Sequence, residues 1–434
     1  MRMQRSGGIL LLAVMASLNA AAAPLTATEQ RIVAEVKAQS AAALALLETS
    51  VNINSGTMNP AGVREVGVLY RKEFDQLGFT TRWIDMPPAM QRAGHLLATR
   101  DGKQGKRLLL LGHLDTVFEA DSPVQKWVRN GDRVRGQGVS DMKGGNMVIV
   151  QALRALQRAG VLDNTNITVL FTGDEENAGD PKSVSRGDMV DLAKRSDAVL
   201  SFEAQILAAD GRATGTVGRR ASSSFALDIK GKQGHSSGIF SQGSGYGAVY
   251  EAARVLDGFR QQVIEPGLTF NPGVILGGTD VNYDPSLSRG NAFGKTNVIA
   301  NAVTIKGDLR YLDYPQRDRA HVKMRDIAAA SLPGTSATVS FGESYPPMAV
   351  TPGNLKLLAL YSQASDDAGL GTVDAVPAEA RGAGDIQFAA PFVDSLDGLG
   401  VSGNGAHSPS EDLEVATLER AAIRAALMLY RLTR

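Results

Sequence analysis

Five short stretches of this chain carry residue types that hold divalent metals. They are His113-Leu114-Asp115, Gly138-Val139-Ser140-Asp141-Met142-Lys143-Gly144-Gly145, Asp174-Glu175-Glu176-Asn177, Ser201-Phe202-Glu203-Ala204 and Gly405-Ala406-His407-Ser408-Pro409. Imidazole and carboxylate groups in a chain with no cysteine form a hard-to-borderline donor set that suits zinc. The absence of cysteine also excludes disulfides, thiolate metal sites and a cysteine nucleophile. His113 and Asp115 are two residues apart, which puts both on one face of an extended segment. A metal-bound histidine commonly donates its other ring N–H to a carboxylate, so His113 is read as a ligand and Asp115 as its support. Glu175 and Glu176 are adjacent and their side chains diverge, so one can hold metal while the other faces a water and acts as general base. Alone, His-x-Asp reads more readily as a structural histidine beside a solvated aspartate, and Asp-Glu-Glu-Asn as a solvated acidic turn.

Charge decides for the set. Asp115, Asp141, Glu175, Glu176 and Glu203 on one cleft would repel or take up protons without counter-charge. Two divalent cations resolve this. With Asp141 bridging, His113, His407, Asp141, Glu176 and Glu203 supply three ligands to each cation and leave each a position for water or substrate. The chemistry expected is metal-assisted hydrolysis.

The elements that must position these groups can be read from apolar patterning. Leu108-Leu109-Leu110-Leu111, Val169-Leu170-Phe171 and Val199-Leu200-Ser201-Phe202 are short apolar runs, each followed by a candidate ligand, as in a parallel sheet covered on both faces. Ligands at the C-terminal edge of an open α/β sheet are where such sites are expected. Thr28 to Leu47 has helical spacing, and Gly145 to Leu156 reads as a helix closing at Gly160. After about Gly215 the pattern changes. Phe225, Leu227 and Ile229 alternate with polar residues. Tyr246 to Phe259 reads as a helix, Leu268 to Leu276 and Val303 to Leu309 as strands, Arg317 to Ala330 as a helix and Ala337 to Phe341 as a strand. This βαββαβ order predicts a ferredoxin-like α+β unit. The expected organisation is therefore a catalytic α/β domain with a mixed, mostly parallel central sheet, in two parts (25–215 and 346–434). An inserted lid or dimerisation domain (216–345) interrupts it.

At 434 residues the chain has length for two or three domains. Its 45 basic and 45 acidic residues cancel, so a nucleic-acid or anionic-membrane partner gets no support. Arg2 and Arg5, the apolar run Ile9 to Leu18, and Ala20-Ala21-Ala22-Ala23 read as a signal peptide, residues 1–22, cleaved after Ala22. The run is short against the ~20 residues of a membrane span, which sets an uncleaved anchor aside. The mature protein is expected to be periplasmic or secreted.

The order and wording of the five motifs resemble the M20 family of zinc amidohydrolases and carboxypeptidases, and within it the glutamate carboxypeptidase (carboxypeptidase G2-like) branch. The resemblance spans about residues 28 to 430. It implies that His113, Asp141 and Glu203 hold one Zn2+ and that Asp141, Glu176 and His407 hold the other. It also implies Glu175 as general base, Asp115 as support for His113, and a cis peptide after Asp141. Gly231-Lys232-Gln233-Gly234-His235-Ser236 resembles the family's lid motif, whose histidine reaches the partner subunit's site to stabilise an oxyanion. A homodimer through the inserted domain is implied by the same motif. Thr296-Asn297-Val298-Ile299 and Gly307-Asp308-Leu309-Arg310 resemble substrate-binding segments, with Arg310 suited to clamp a carboxylate bidentately. Arg219 and Arg220 are read as solvated, and His95 and His321 as structural. Gly382-Ala383-Gly384-Asp385 departs from the family's Gly-Gly-Thr/Ser-Asp, with Gly384 in place of a hydroxyl residue.

The function expected is an exported dizinc carboxypeptidase that releases a C-terminal amino acid, glutamate first among candidates, with Glu175 as base. An N-acyl-amino-acid deacylase on the same scaffold is the alternative, and a non-catalytic metal-binding relative is a third reading. A desuccinylase of the succinyl-diaminopimelate type fits poorly with a signal peptide.

Overall fold

Uncharged apolar runs are stable only when covered on both faces, and the chain spends them on a central sheet. The computed structural model describes residues 24–285 and 288–434, and the expected signal peptide lies outside the described residues. The first helix, α1 (Ala27–Ala38), opens on a capping box. The Thr26 hydroxyl accepts the Glu29 N–H, and the Glu29 carboxylate accepts the Thr26 N–H. The sequence predicts one helix from Thr28 to Leu47, but the structure breaks it at Gln39 and continues with α2 (Ser40–Val51). Gln39 donates its backbone N–H to Val36 at 3.1 Å, a tightened last turn, while its carbonyl accepts from Ala43 and starts the next helix. Ile32, Val36, Ala43 and Leu47 stay in one core across the break. Helix α3 (Pro60–Gln76) starts with Pro60 at its first position behind an Asn59 cap.

Strands β1 (Thr80–Ile84), β2 (His95–Asp101) and β3 (Gln104–His113) precede α4 (Gly144–Arg158), and Gly160 past its end has φ 73°. Strands β4 (Thr165–Thr172) and β5 (Ala198–Ser201) follow. The next stretch runs β6 (Ser222–Gly231), α5 (Gly247–Gln262), β7 (Thr269–Gly278), β8 (Ala302–Arg310), α6 (Tyr314–Ala329) and β9 (Thr335–Tyr345). Helix α6 begins at Tyr314, earlier than Arg317, because Asp313 caps it by accepting the Gln316 N–H and Pro315 is preset for the first turn. The chain returns through α7 (Pro352–Asp367), the short β10 (Ser395–Leu396) and α8 (Val415–Leu432).

The central sheet has the order β1-β2-β4-β3-β5-β10. Its β4, β3, β5 and β10 are parallel, and β1 and β2 add an antiparallel edge. His113 pairs with Thr172, so β3 and β4 end level, and Leu111 pairs with Ser201, so β5 ends two residues earlier at the same edge. Three motifs leave the sheet at that single edge. A second sheet, ordered β7-β8-β6-β9, is antiparallel throughout and has its own apolar core around Phe225, Leu227, Phe259 and Ile305. This is the predicted ferredoxin-like arrangement, with one unpredicted addition: a hairpin pairing Asp280–Asp284 with Arg289–Phe293 between β7 and β8. Among the described residues no helix is long and apolar enough to cross a membrane.

Candidate metal centre

His113 is the last residue of β3, the 174–176 turn follows β4, and Glu203 follows β5, all at the same sheet edge. Asp141 lies in the tight turn that enters α4, and its peptide bond to Met142 is cis. That turn packs hard on the Glu203 segment. A Cβ on Gly145 would stand 1.9 Å from the Phe202 carbonyl oxygen, so only glycine permits the approach. His407 comes from the far end of the chain, in a turn where its own φ is 63°.

These side chains meet in two overlapping triads. His113 Nε2 lies 3.3 Å from Asp141 Oδ1 and 3.5 Å from Glu203 Oε1. His407 Nε2 lies 3.1 Å from Asp141 Oδ2 and 3.0 Å from Glu176 Oε2. The two oxygens of Asp141 thus face two different histidines. Glu175 offers an oxygen to the His113 side, where the ligand-type atoms of His113, Glu175 and Glu203 lie within 4.8 Å of one another.

The fit to cations follows from proton bookkeeping. His113 Nδ1 is 2.9 Å from the Asp115 carbonyl oxygen, so that nitrogen donates. In a neutral ring Nε2 then presents a lone pair to two carboxylate oxygens, which is repulsive unless a proton or a metal cation lies between them; without metal, burial is outweighed by the hydrogen bonds to Asp115 and Asp141, which push the His113 pKa well above its ordinary value. Donors ~2.1 Å from a tetrahedral metal stand roughly 3.4 Å apart, close to the separations found here. Glu176 Oε1 is buried with no hydrogen-bond partner, a further donor awaiting a positive charge. Protein charges alone leave the cluster badly matched. Burial and then the Asp141 charge push Glu203 up to about 8, and burial raises Glu175 and Glu176. Hydrogen bonds to Asp141 and Glu176 push His407 up to about 11. The residues fit a pair of divalent cations.

Asp115 supports His113 and does a second job besides. The His113 ring is held by the Asp115 carbonyl, with the Asp115 carboxylate at 3.5 Å. That carboxylate accepts the Thr57 hydroxyl at 2.6 Å and the backbone N–H groups of Glu175 and Glu176 at 3.0 and 3.1 Å. It therefore ties the β3 motif to the glutamate turn. Below that turn, buried Arg186 bridges Asp174 and Asp385, each at 2.6 Å, so Asp385 of the atypical glycine loop braces the site.

Glu411 was not singled out by sequence reasoning. It is fully buried, and Oε1 accepts the N–H groups of Ser140 (2.8 Å) and Asp141 (3.0 Å) while Oε2 accepts that of Gly138 (3.2 Å). It holds the turn that presents Asp141. Its only sequence signal is its place four residues after His407. Lys143 is likewise buried and donates to the carbonyls of Ser50 and Ile53 at 3.0 and 2.9 Å, with its pKa pushed down to about 7 by burial.

Arg219, expected in solvent, is 3% exposed. It is paired with Asp397 through Nε at 2.6 Å and donates to the Gly382 carbonyl at 2.7 Å. A buried carboxylate and an inward-turned carbonyl recruit it, and neither is visible beside it in sequence. Arg220 is half-buried and reaches Thr269. His95 is structural: one ring nitrogen meets the Ser185 carbonyl at 2.8 Å and the other accepts the Gly173 N–H. His321 stacks on Phe341.

The lid residues are not brought to the metal centre. His235 is exposed on the inserted domain, its Nδ1 2.8 Å from the Ser237 hydroxyl. Its loop pairs with the Asn297 segment: the Ser236 N–H donates to the Asn297 carbonyl, and His235 bridges Val298. Arg310 ends β8 and bonds Asp308 at 2.9 Å. His235 and Asn297 lie by the start of that nine-residue strand, about 27 Å from Arg310 at ~3.3 Å per residue.

Comparison with known proteins agrees with this geometry. The model of peptidase family M20/M25/M40 matches residues 109–431. Carboxypeptidase G2 of Pseudomonas sp. (strain RS-16) is 29% identical over 404 residues, covering 89% of this chain and 88% of that protein. Among solved structures, a tripeptidase from Staphylococcus aureus superposes with a TM-score of 0.68 at 19% identity, covering 94% of this chain and 99% of that one. The Bacillus subtilis YXEP protein, a dinuclear metal-binding peptidase of the M20 family, gives 0.63 at 15% identity, covering 92% and 99%. The matched segment takes in every element that carries a ligand-type residue, and on that ground the chain belongs to peptidase family M20/M25/M40 and is a metallohydrolase similar to carboxypeptidase G2.

Proposed function

We propose that this protein is an exported dizinc carboxypeptidase that hydrolyses the amide bond to a C-terminal amino acid, glutamate first among them. The observation that carries the reading is Asp141, whose Oδ1 faces His113 and whose Oδ2 faces His407. His113, Asp141 and Glu203 would hold one Zn2+, and Asp141, Glu176 and His407 the other. Zinc bound there supplies a Lewis acid for the scissile carbonyl and lowers the pKa of water. Glu175, which belongs to neither triad but abuts the His113 side, takes the proton of the attacking water and returns it to the leaving nitrogen. Asp115 holds the backbone of Glu175 and Glu176 and so fixes where both carboxylates point.

Arg310, at the C-terminal end of β8, would read the free carboxylate of the substrate. His235 and Asn297, at the other end of that strand, cannot reach the same small molecule within one chain. A homodimer through the inserted domain would bring them to the partner's site, where His235 stabilises the oxyanion. Export rests on the basic, apolar and small-residue order of residues 1–22, which supports a mature protein in the periplasm or outside the cell.

Purified mature protein, loaded with zinc or treated with chelator, should be incubated with N-acyl-glutamate, glutamyl-terminated peptides and neutral or basic C-terminal analogues. Chelator-sensitive release of the C-terminal residue is the expected result. Release confined to simple N-acyl amino acids would favour the deacylase, and no turnover of any substrate by zinc-loaded protein would overturn the reading.

A further inference from the structure

Beside the metal centre lies a pocket of about 390 Å³. Ser140, Ala204 and Ala406 in its wall are chain neighbours of Asp141, Glu203 and His407, so the pocket and the ligand triads share the same loops. Charged side chains also line it, and most are already neutralised. Arg133 is paired with Asp412 at Nε–Oδ2 2.8 Å, and Glu414 with Arg420. Arg381 differs. Its Nη1 donates to the Ala204 carbonyl at 2.9 Å, and its Nε is buried with no hydrogen-bond partner. Among the described residues no carboxylate pairs with it. Burial, and next the charge of nearby Arg219, depress its pKa against the opposing attraction of Asp397, Glu203 and Asp141, none of which is in ion-pair contact with it.

We propose that Arg381 is a specificity-determining residue that receives the side-chain carboxylate of an acidic C-terminal amino acid, in the pocket beside the metal centre. The inference rests on the carboxypeptidase reading and deepens it by naming the residue that would select an acidic side chain. A guanidinium presents a rigid fork of donors that matches a carboxylate, and a partly desolvated one discriminates strongly between a carboxylate and its neutral amide. The rest of the wall is mixed, with Ile206 and Leu207 beside Ser402 and Asn404, so Arg381 is the cationic group in it that is not already paired with a carboxylate. Arg310 is left to read the main-chain carboxylate, and Arg381 the second negative charge.

The test uses the zinc-loaded full mature protein as wild type, Arg381→Met and Arg381→Lys, with metal content and thermal stability measured for each. Turnover of N-acyl-glutamate and N-acyl-glutamine is compared, and binding of free glutamate and free glutamine is measured by calorimetry. Wild type should favour the glutamate compounds. Arg381→Met should lose about 10–100-fold in glutamate kcat/KM, mostly through KM, with little change for glutamine, and Arg381→Lys should recover part of the loss. Equal loss on both substrates, or no preference in wild type, would overturn the assignment. Arg381-dependent glutamate binding without hydrolysis would sustain the pocket and sink the carboxypeptidase reading. Hydrolysis indifferent to Arg381 would do the reverse.

Discussion

The guanidinium of Arg219 stands where a side chain at position 384 would have to go. A Cβ on Gly384 would lie 3.1 Å from Arg219 Cζ and 3.2 Å from Nη1. The glycine that breaks the family wording and the buried arginine are two halves of one arrangement, closed by the bond from Arg219 to the Gly382 carbonyl. Arg219 cannot retreat easily, because Asp397 is fully buried and holds it at 2.6 Å.

Gly384→Ser is therefore expected to destabilise by about 1–3 kcal/mol, the usual cost of overpacking. Thermal unfolding of the single variant checks this. Arg219→Met would relieve the crowding but strand the Asp397 charge, at roughly 3–5 kcal/mol. In the double variant the two losses should be less than additive, since removing the guanidinium frees the space that serine needs. Strict additivity would show that the two positions are independent.

Glu175→Ala separates metal binding from proton transfer. The proposed ligand sets leave Glu175 out although it lies within reach of His113 and Glu203, so zinc content should stay at the wild-type value by elemental analysis. Turnover should fall by about 10²–10⁴-fold, the range for loss of a general base. A variant that bound zinc and kept full activity would remove Glu175 from its assigned part. Asp141→Asn makes the contrast, since it keeps the shape but removes the charge shared by both triads, and should lower the metal stoichiometry itself.

Glu411 tests whether the Asp141 turn needs its brace. Glu411→Ala leaves the N–H groups of Gly138, Ser140 and Asp141 without their acceptor. Each buried orphan costs about 1–3 kcal/mol. Loss of this support should also weaken metal binding by roughly 10–100-fold, read by chelator competition, with the effect falling on both metals because Asp141 serves both. Glu411→Gln keeps the shape and one acceptor oxygen, enough for the Ser140 and Asp141 N–H groups but not for that of Gly138, and should lose less on both measures.

Ligand chemistry was legible because it resides in residue type. Two histidines and a set of carboxylates, with three of the five motifs just past an apolar run, require a cation wherever the fold gathers them. The parallel strands were legible for the same local reason, since Leu108 to Leu111 has no polar face to expose. The supporting residues were not. Glu411 looks like any acidic residue after a Ser-Pro-Ser turn, and its value comes from three N–H groups some 270 positions away. Arg219 looks like its neighbour Arg220, and only the arrival of Asp397 and Gly382 distinguishes them. The break at Gln39 is equally silent, because Ile32, Val36, Ala43 and Leu47 keep helical spacing on both sides of it. Asp115 shows the mixed case. Its alliance with His113 was readable from spacing, whereas its carboxylate is spent on the Glu175 and Glu176 backbone, a contact across 60 and 61 positions.

The two ends of the described chain are joined by an ion pair whose pH dependence can be worked out. Glu29 in α1 accepts from Arg431 in α8 at 2.8 Å, and Arg431 also reaches Asp367 at 2.7 Å. Burial works against the Glu29 carboxylate, but the Thr26 N–H and Arg431 outweigh it and hold its pKa below the ordinary 4.5. A carboxyl depressed on folding binds fewer protons in the native than in the unfolded state as the pH falls. Its contribution is present in full above the unfolded value near 4.5 and is lost as pH drops through the folded value. Glu29→Gln should therefore unfold at a lower temperature than wild type at neutral pH, by about 1 kcal/mol given the partial exposure of Arg431. The gap should close progressively below the unfolded value, because both proteins then carry a neutral group at position 29. Paired thermal melts across that range decide the matter. A gap that stays constant from neutral to acid pH would mean that Glu29 contributes through the capping box and packing of α1, with no share from its charge.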